Sequence, residues 1–503
     1  MTVRILPCGP RARLVEHHDP AGYAAGLRLA AAAGAVDGLV DTVPAETTVL
    51  VRFDGSPPPD SVLSGIEPVT APAGRADAIE IPVLYDGEDL ASVAHECGLS
   101  VDEVIAAHSA PTYRVAFCGF APGFAYLTGG DERLQLPRRD TPRTRVPAGS
   151  VAIAAGYSAV YPLSSPGGWH LLGQTSESIF DPTRDEPALL RPGMRVRFAP
   201  DVSPRVPTPT STTPSPDHVD DPAFEVLDPG PLTLLQDLGR PGHGSIAVGE
   251  SGAFDRGAFR LANRIAGNPE GAAGLEALGG GLTLRALRHA VVVVTGATGP
   301  LFVDEAPVDR CAPLAVAPGQ VLRLGTPTAG LRSTVAMRGG IHGALVLGSL
   351  ATDTLAGLGP APLISGSLIG VGEAHGDITV DHVPTSHPPA TITLRLHPGP
   401  RHERLTPSAR EMLAERTFTV GVDSDRIGIR LDGPRLDLRD AEPLASEGVV
   451  RGSMQVPPDG RPVILGPDHP VTGGYPVVAV VEQVDALAQA PPGVLVRFTL
   501  NGW

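Results

Sequence analysis

Residues 137–147 read PRRDTPRTRVP. Arg138, Arg139, Arg143 and Arg145 fall within eight residues, spaced by Pro137, Pro142 and Pro147. Proline fixes φ and limits how far the chain can adjust. Guanidinium forks held in such a frame suit carboxylate or phosphate. The expectation is an anion-handling rim on a β-barrel, with Arg138 and Arg143 at the ligand. A solvated arginine face on an acidic protein is the plain alternative.

Three further segments gather polar side chains among enforced turns. SSPGGWHLLGQT, residues 164–175, sets Trp169 beside Gly167 and Gly168, which permit positive φ or a close backbone approach. By itself, the segment reads better as a core tryptophan over a turn. LLQDLGRPG (234–242) and SGAFDRGAFRLAN (251–263) place Gln236, Asp237, Arg240, Ser251 and Asp255 near an expected helix N-terminus. Backbone N–H groups there can hold an anion, or the side chains can simply cap the helix. Residues 446–476 hold Glu447, Gln455, Asp468, Thr472 and Tyr475 around TGGY, either as a pocket rim or as ordinary loop.

The elements that must position these groups are mostly strands. TTVLVRFD, YRVAFCGF, GSVAIAAG, WHLLGQT, AVVVVTG, STVAMRGG, ATITLRLHPG and GVLVRFTLNGW alternate or run apolar as strands do. Helical periodicity is confined to a few short stretches. Among them, Ser100 and Glu103 form a capping box, and DRGAFRLANRIAGNPEGA is amphipathic and stops at Gly267 and Pro269. Sixty glycines and 54 prolines fit many short strands and tight turns. Residues 200–222 are rich in Pro, Ser and Thr with almost no apolar anchors, and read as a semi-extended linker. The expected division is an N-terminal α/β unit (1–85), a barrel (86–200), the linker (201–222), a β domain (223–385) and a second barrel (386–503). The fold class is mostly β with α+β elements.

Absences exclude chemistry. The 503 residues contain no lysine, so all 39 basic residues are arginine. A P-loop, a Schiff-base enzyme, a biotin or lipoyl carrier and a Ser–Lys hydrolase each need a lysine. The net charge of −16 argues against binding nucleic acid or an anionic membrane. Cys8, Cys97, Cys118 and Cys311 are too scattered for a disulfide framework or zinc knuckle, and no protein-held metal is expected. No apolar run reaches membrane-spanning length, and MTVRILPCGPRARL lacks an h-region of signal-peptide type. The expectation is a soluble cytoplasmic protein.

Taken in order, these segments resemble one family. GFAPGFAYL, PRRDTPRTRVPAGSVAI and SPGGWHLLGQT resemble the B subunit of 5-oxoprolinase, also called allophanate hydrolase subunit 1. LQDLGRPG, SGAFDRGAFRLANRIAGNPEGAAGLE, RGGI, DRIGIRLDGP and SEGVVRGSMQVPPDGRPVIL…TGGYP resemble the C subunit of 5-oxoprolinase, the second member of that pair. The resemblance implies cyclophilin-like β-barrels in tandem, an added N-terminal α/β subdomain, and a site between the two halves. It implies a fused B/C component that works with a separate A subunit to hydrolyse 5-oxoproline, a small cyclic amide, to glutamate with ATP and Mg²⁺. Arg138, Arg143 and Arg240 are then candidates for steadying phosphate or carboxylate. His108, Asp255 and Glu447 are candidates for proton transfer. Tyr126, Ser150, Trp169, Thr175, Gln236, Asp237, Ser251, Gln455, Thr472 and Tyr475 are candidates for substrate or ATP contact. A carboxyltransferase component of a biotin-dependent urea or amide carboxylase, and a non-enzymatic regulator of a sensor kinase, are the other readings. Homo-oligomerisation stays open. The chain departs from the family pattern at GYSAVYP (156–162), GSLAT (348–352) and DHPVTGGYP (468–476), where polar loop groups are lost.

Overall fold

The computed structural model describes residues 3–69, 78–201, 221–374, 376–384, 389–440, 442 and 444–503. Apart from its ends, the expected linker lies outside the described residues.

The chain opens as a four-stranded antiparallel sheet in the order Arg4–Pro7, Ala12–Glu16, Thr48–Phe53, Leu39–Pro44. Its strands are apolar at successive positions because both faces are buried. Val15, Val49 and Val51 face helix Pro20–Ala32 through Tyr23, Ala24 and Leu27. That helix starts where Asp19 accepts from the Gly22 amide (3.2 Å) and Pro20 occupies the first turn. Leu14 and Leu50 point the other way and pack with Val449, Leu465, Val471 and Val477 of the C-terminal barrel.

A seven-stranded sheet follows, ordered His170–Gln174, Ser150–Ala154, Tyr157–Val160, Ala125–Thr128, Tyr113–Cys118, Arg195–Pro200, Ile79–Val83. Its two edges meet at Leu84 and Gln174, which exchange two backbone hydrogen bonds of 2.9 Å and so close the barrel. Strand Ile79–Val83, parallel to Arg195–Pro200, therefore belongs to this barrel and not to the N-terminal unit. The boundary expected at 85 moves back accordingly. Helices Leu90–Cys97 and Val101–Ser109 cover the barrel through Leu90, Val93, Val104 and Ala107, against Ile153 and Leu172. The capping box is present, with Ser100 Oγ accepting from the Glu103 amide and Glu103 accepting from the Ser100 amide.

The second half begins as a β-sandwich. A six-stranded sheet containing Phe224–Asp228, Thr283–Ala286 and Val321–Leu324 faces a five-stranded sheet centred on Gly274–Leu278, Ala329–Met337 and Ala290–Thr298. Phe224, Leu275, Leu284, Val294, Leu322 and Val335 fill the space between them. The chain ends in a closed seven-stranded barrel whose core includes Leu394, Phe418, Met454, Ile464 and Phe498. The molecule is thus mostly β, with barrels in tandem. Among the described residues no helix is long and apolar enough to cross a membrane.

Candidate functional site at the junction of the halves

The first barrel, the sandwich and the last barrel meet around a cavity of about 620 Å³. Residues 120–122 and 163–166 supply one wall, 247, 249 and 353–357 a second, and 469–471 a third. Gly119 makes the approach possible, since a Cβ there would stand 2.5 Å from Thr472 Oγ1. The Gly123 amide donates to Ile246 O at 2.9 Å across the same seam. A larger groove of about 880 Å³ lies on the sandwich beside Arg288, His289 and Arg338. We favour the junction because both halves wall it and a buried polar network ends there.

That network accounts for four of the sequence candidates. Gln236 Nε2 donates to Thr352 O (2.9 Å). Asp237 accepts from Ser349 Oγ and from the Leu350 amide, each at 2.7 Å. Arg240 is buried, donates from Nε to Val346 O (3.2 Å), and reaches Ala351 O with a terminal nitrogen. Ser251 Oγ donates to Asp468 Oδ1 (2.7 Å). Together they brace loop 346–352, which runs directly into the cavity wall at Asp353. They hold the wall, and none of the four is among the residues that line the cavity. Arg240 supports the loop through two of its guanidinium nitrogens, while its third, Nη1, is buried without a hydrogen-bond partner.

Asp353 is buried on that wall. Its Oδ1 accepts from the amides of Leu355 (3.0 Å) and Ala356 (2.9 Å). Burial, and then repulsion from Asp468, pushes its carboxyl up to about 6. Burial acts on Asp468 in the same direction, but the Arg426 guanidinium overcomes it and holds Asp468 low. Arg426 donates to both Asp468 oxygens at 2.8 and 2.9 Å. Two neighbouring carboxyls thus have separated proton affinities, the arrangement that acid–base chemistry uses. His469 lines the same cavity, and its Nδ1 donates to Pro470 O (2.7 Å), which leaves Nε2 as an acceptor. Burial pushes its imidazole down to about 4, so it is neutral at physiological pH.

Other candidates serve the fold. His108 lies buried in the first barrel, stacked on Phe198 with ring centroids 4.5 Å apart. Ser158 Oγ donates to Ala152 O, so it accepts from His108 Nε2–H (2.8 Å), while Tyr85 O–H donates to Nδ1 (2.8 Å). Burial drives its pKa down to about 3. It is a core histidine and not a proton-transfer group. Asp255 caps helix Arg256–Ile265, with Oδ1 accepting from the Ala258 amide and Oδ2 from Gln489 Nε2, both at 2.8 Å. Glu447 is clamped by Arg401, which also holds Glu16 at 2.8 Å. Neither carboxylate faces the cavity, so neither fits the proton-transfer role expected of it.

The arginine run is also redistributed. Arg139 and Arg143 both bind Asp89, a buried carboxylate that also accepts from the Leu171 amide at 2.7 Å. Arg143 reaches Asp89 at 2.8 Å and Glu88 at 3.2 Å. The Pro-flanked stretch is anchored to its own barrel, and Arg143 is not free for an external anion. Arg138 is exposed and makes no hydrogen bond or ion pair among the described residues. Arg145 donates from Nε to Ser164 Oγ at 3.0 Å, and Ser164 lines the cavity.

Tyr126 and Trp169 belong to an aromatic cluster inside the first barrel, with Tyr126 stacked on Phe117 at 4.3 Å. Ser150 pairs with Gln174 in the barrel wall, and the Thr175 amide donates to Gly149 O (2.8 Å). Gln455 Nε2 donates to Tyr475 O (3.3 Å), Thr472 pairs with Gly448, and Tyr475 is exposed. Sequence reasoning missed Asp353, Ser164 and His469 as site residues. A signal was present, since the departures at 348–352 and 468–476 flank or contain two of them.

Fold and site define a two-half protein in which a β-barrel unit and a sandwich–barrel unit share one polar cavity. The chain belongs to the carboxyltransferase-domain family: residues 3–190 match subdomains C and D, and residues 246–500 match subdomains A and B. The first half is 58% identical over 125 residues to the 5-oxoprolinase B subunit of Escherichia coli O157:H7, covering 24% of this chain and 57% of that relative. The second is 30% identical over 281 residues to the 5-oxoprolinase C subunit of Haemophilus influenzae, covering 55% of this chain and 90% of that relative. The crystal structure of TTHA0988 superposes with a TM-score of 0.86 at 35% identity, over 97% of this chain and 99% of that one. A B-like half and a C-like half are therefore fused here.

Proposed function

We propose that the chain is the fused B/C component of an ATP-dependent 5-oxoprolinase, which opens 5-oxo-L-proline to L-glutamate together with a separate A subunit in the cytoplasm. One observation carries this reading: the B-like and C-like halves together wall a single cavity with proton-accepting groups on it. An amide resists hydrolysis, so its carbonyl must be activated and its leaving nitrogen protonated. Asp353 is placed to hold a proton and to release it near neutral pH. His469 Nε2 is a second acceptor on the same wall.

The resemblance implies ATP and Mg²⁺, and among the described residues the three arginines assigned to phosphate do not come together as a nucleotide site. Of the three arginines assigned to phosphate, Arg143 is held by Asp89 and Glu88, and Arg240 is buried among carbonyls. Arg138 alone is exposed and unpaired, and one guanidinium does not cradle a triphosphate. On this reading nucleotide handling is the task of the A subunit. The test mixes purified chain, A subunit, ATP and 5-oxoproline, and measures glutamate. The chain alone should release almost none and the mixture should turn over. Full turnover by the isolated chain, or none by the mixture, contradicts the reading.

A further inference from the structure

The junction cavity carries complementary polar groups on its two sides. On the second half, Asp353 commits Oδ1 to two backbone amides, while Oδ2 accepts no hydrogen bond among the described residues and lies beside Gly249. Asp468, behind it, is saturated by Arg426, Ser251 and Thr354. On the first half, Ser164 Oγ accepts from Arg145 Nε, so its own hydroxyl proton is uncommitted. The two terminal amino groups of Arg145, an exposed residue, make no hydrogen bond or ion pair among the described residues, whereas Arg139 and Arg143 each commit one terminal amino group to Asp89. Asp353 Oδ2 is thus left open to a ligand in the cavity, where an amide N–H would meet a carboxylate oxygen with no competing protein donor. A guanidinium with two free amino groups, one hydrogen bond from the cavity wall, presents a fork to a carboxylate.

We propose that the cavity selects a small amide bearing a carboxylate, with the amide N–H on Asp353 Oδ2 and the carboxylate on Arg145 and Ser164. This rests on the function proposed above and assigns the residues that choose its substrate. It also requires both halves for binding, since the acceptor lies on one and the donors on the other. A neutral amide such as urea would use Asp353 only. Asp353 is faced by Asp468, Arg240 and His469, and its raised carboxyl makes N–H recognition weaken as pH falls below about 6.

The test is calorimetric titration of the full-length chain at pH 8 with 5-oxoproline, with 2-pyrrolidinone (the same ring without a carboxylate), and with urea. Wild type should bind 5-oxoproline at least about tenfold more tightly than 2-pyrrolidinone. Asp353→Asn keeps the side-chain shape but turns the acceptor into a donor, and should weaken 5-oxoproline by about tenfold or more. Its melting temperature should hold or rise, because a buried charge is removed. Arg145→Ala should weaken 5-oxoproline by about ten- to a hundredfold, to the level of 2-pyrrolidinone, and Arg145→Lys should recover part of the loss. No binding of any probe to wild type, or both variants binding within about twofold of it, overturns the proposal. Urea binding as tightly as 5-oxoproline, unaffected by Arg145→Ala, overturns the carboxylate assignment. If the binding pattern holds but the mixture with A subunit forms no glutamate, the functional reading fails and the binding assignment stands.

Discussion

Arg143 shows how a side chain suited to an external anion can be claimed from within. Its residue type and its proline neighbours were legible in the sequence. Its partner was not, because Asp89 lies 54 residues earlier and meets it only when the barrel closes. Burial alone would raise the Asp89 carboxyl, but the hydrogen bond from Arg143, the Leu171 amide and the Arg139 charge take it below the ordinary range. A depressed carboxylate stabilises the fold above its unfolded pKa and loses that contribution as pH falls through the lowered folded value. Arg143→Ala should therefore cost about 1.5–3 kcal/mol at neutral pH and move acid unfolding to higher pH. Thermal and acid melts measure this, and an unchanged melt would show the pair to be idle. The same lesson covers His108, whose titratable ring suggested catalysis although its neighbours make it core. Asp353 is the converse case. The only local mark on it is the flanking departure at 348–352, and its character comes from burial beside Asp468, 115 positions away.

At the scale of elements, alternation and capping signals were readable. The capping box at Ser100 and the amphipathic run that forms helix Arg256–Ile265 both appear in the structure. Strand runs were recognisable, but which strands close into one barrel was not, since Ile79–Val83 joins Arg195–Pro200 across more than a hundred residues. Asp255 was ambiguous between anion site and cap, and the structure makes it a cap that also ties Gln489 to the sandwich. Asp255→Ala should destabilise by about 0.5–2 kcal/mol, and Asp255→Ser should restore most of it. Turnover per folded molecule with A subunit should stay within a factor of about three for both, under 1 kcal/mol of barrier. A hundredfold loss in Asp255→Ser at an unchanged melting temperature would return Asp255 to a catalytic role.

Across the whole molecule, the halves are joined by more than the linker. The N-terminal sheet packs Leu14 and Leu50 against the last barrel, Arg52 binds Glu250 at 2.7 Å, and Arg401 binds Glu16 at 2.8 Å. Linker composition and the order of the halves were readable from the sequence, whereas this interface is spread over the whole chain and was not. Cleavage within residues 208–215 should leave the halves co-eluting on a sizing column. The central claim is that one site is built from both halves. Its most direct measurement is 5-oxoproline-dependent glutamate formation by the two halves, expressed separately and combined with A subunit. Each half alone should give no turnover, and the mixture should recover a substantial part of the activity of the intact chain. Full activity from either half alone would contradict a shared site.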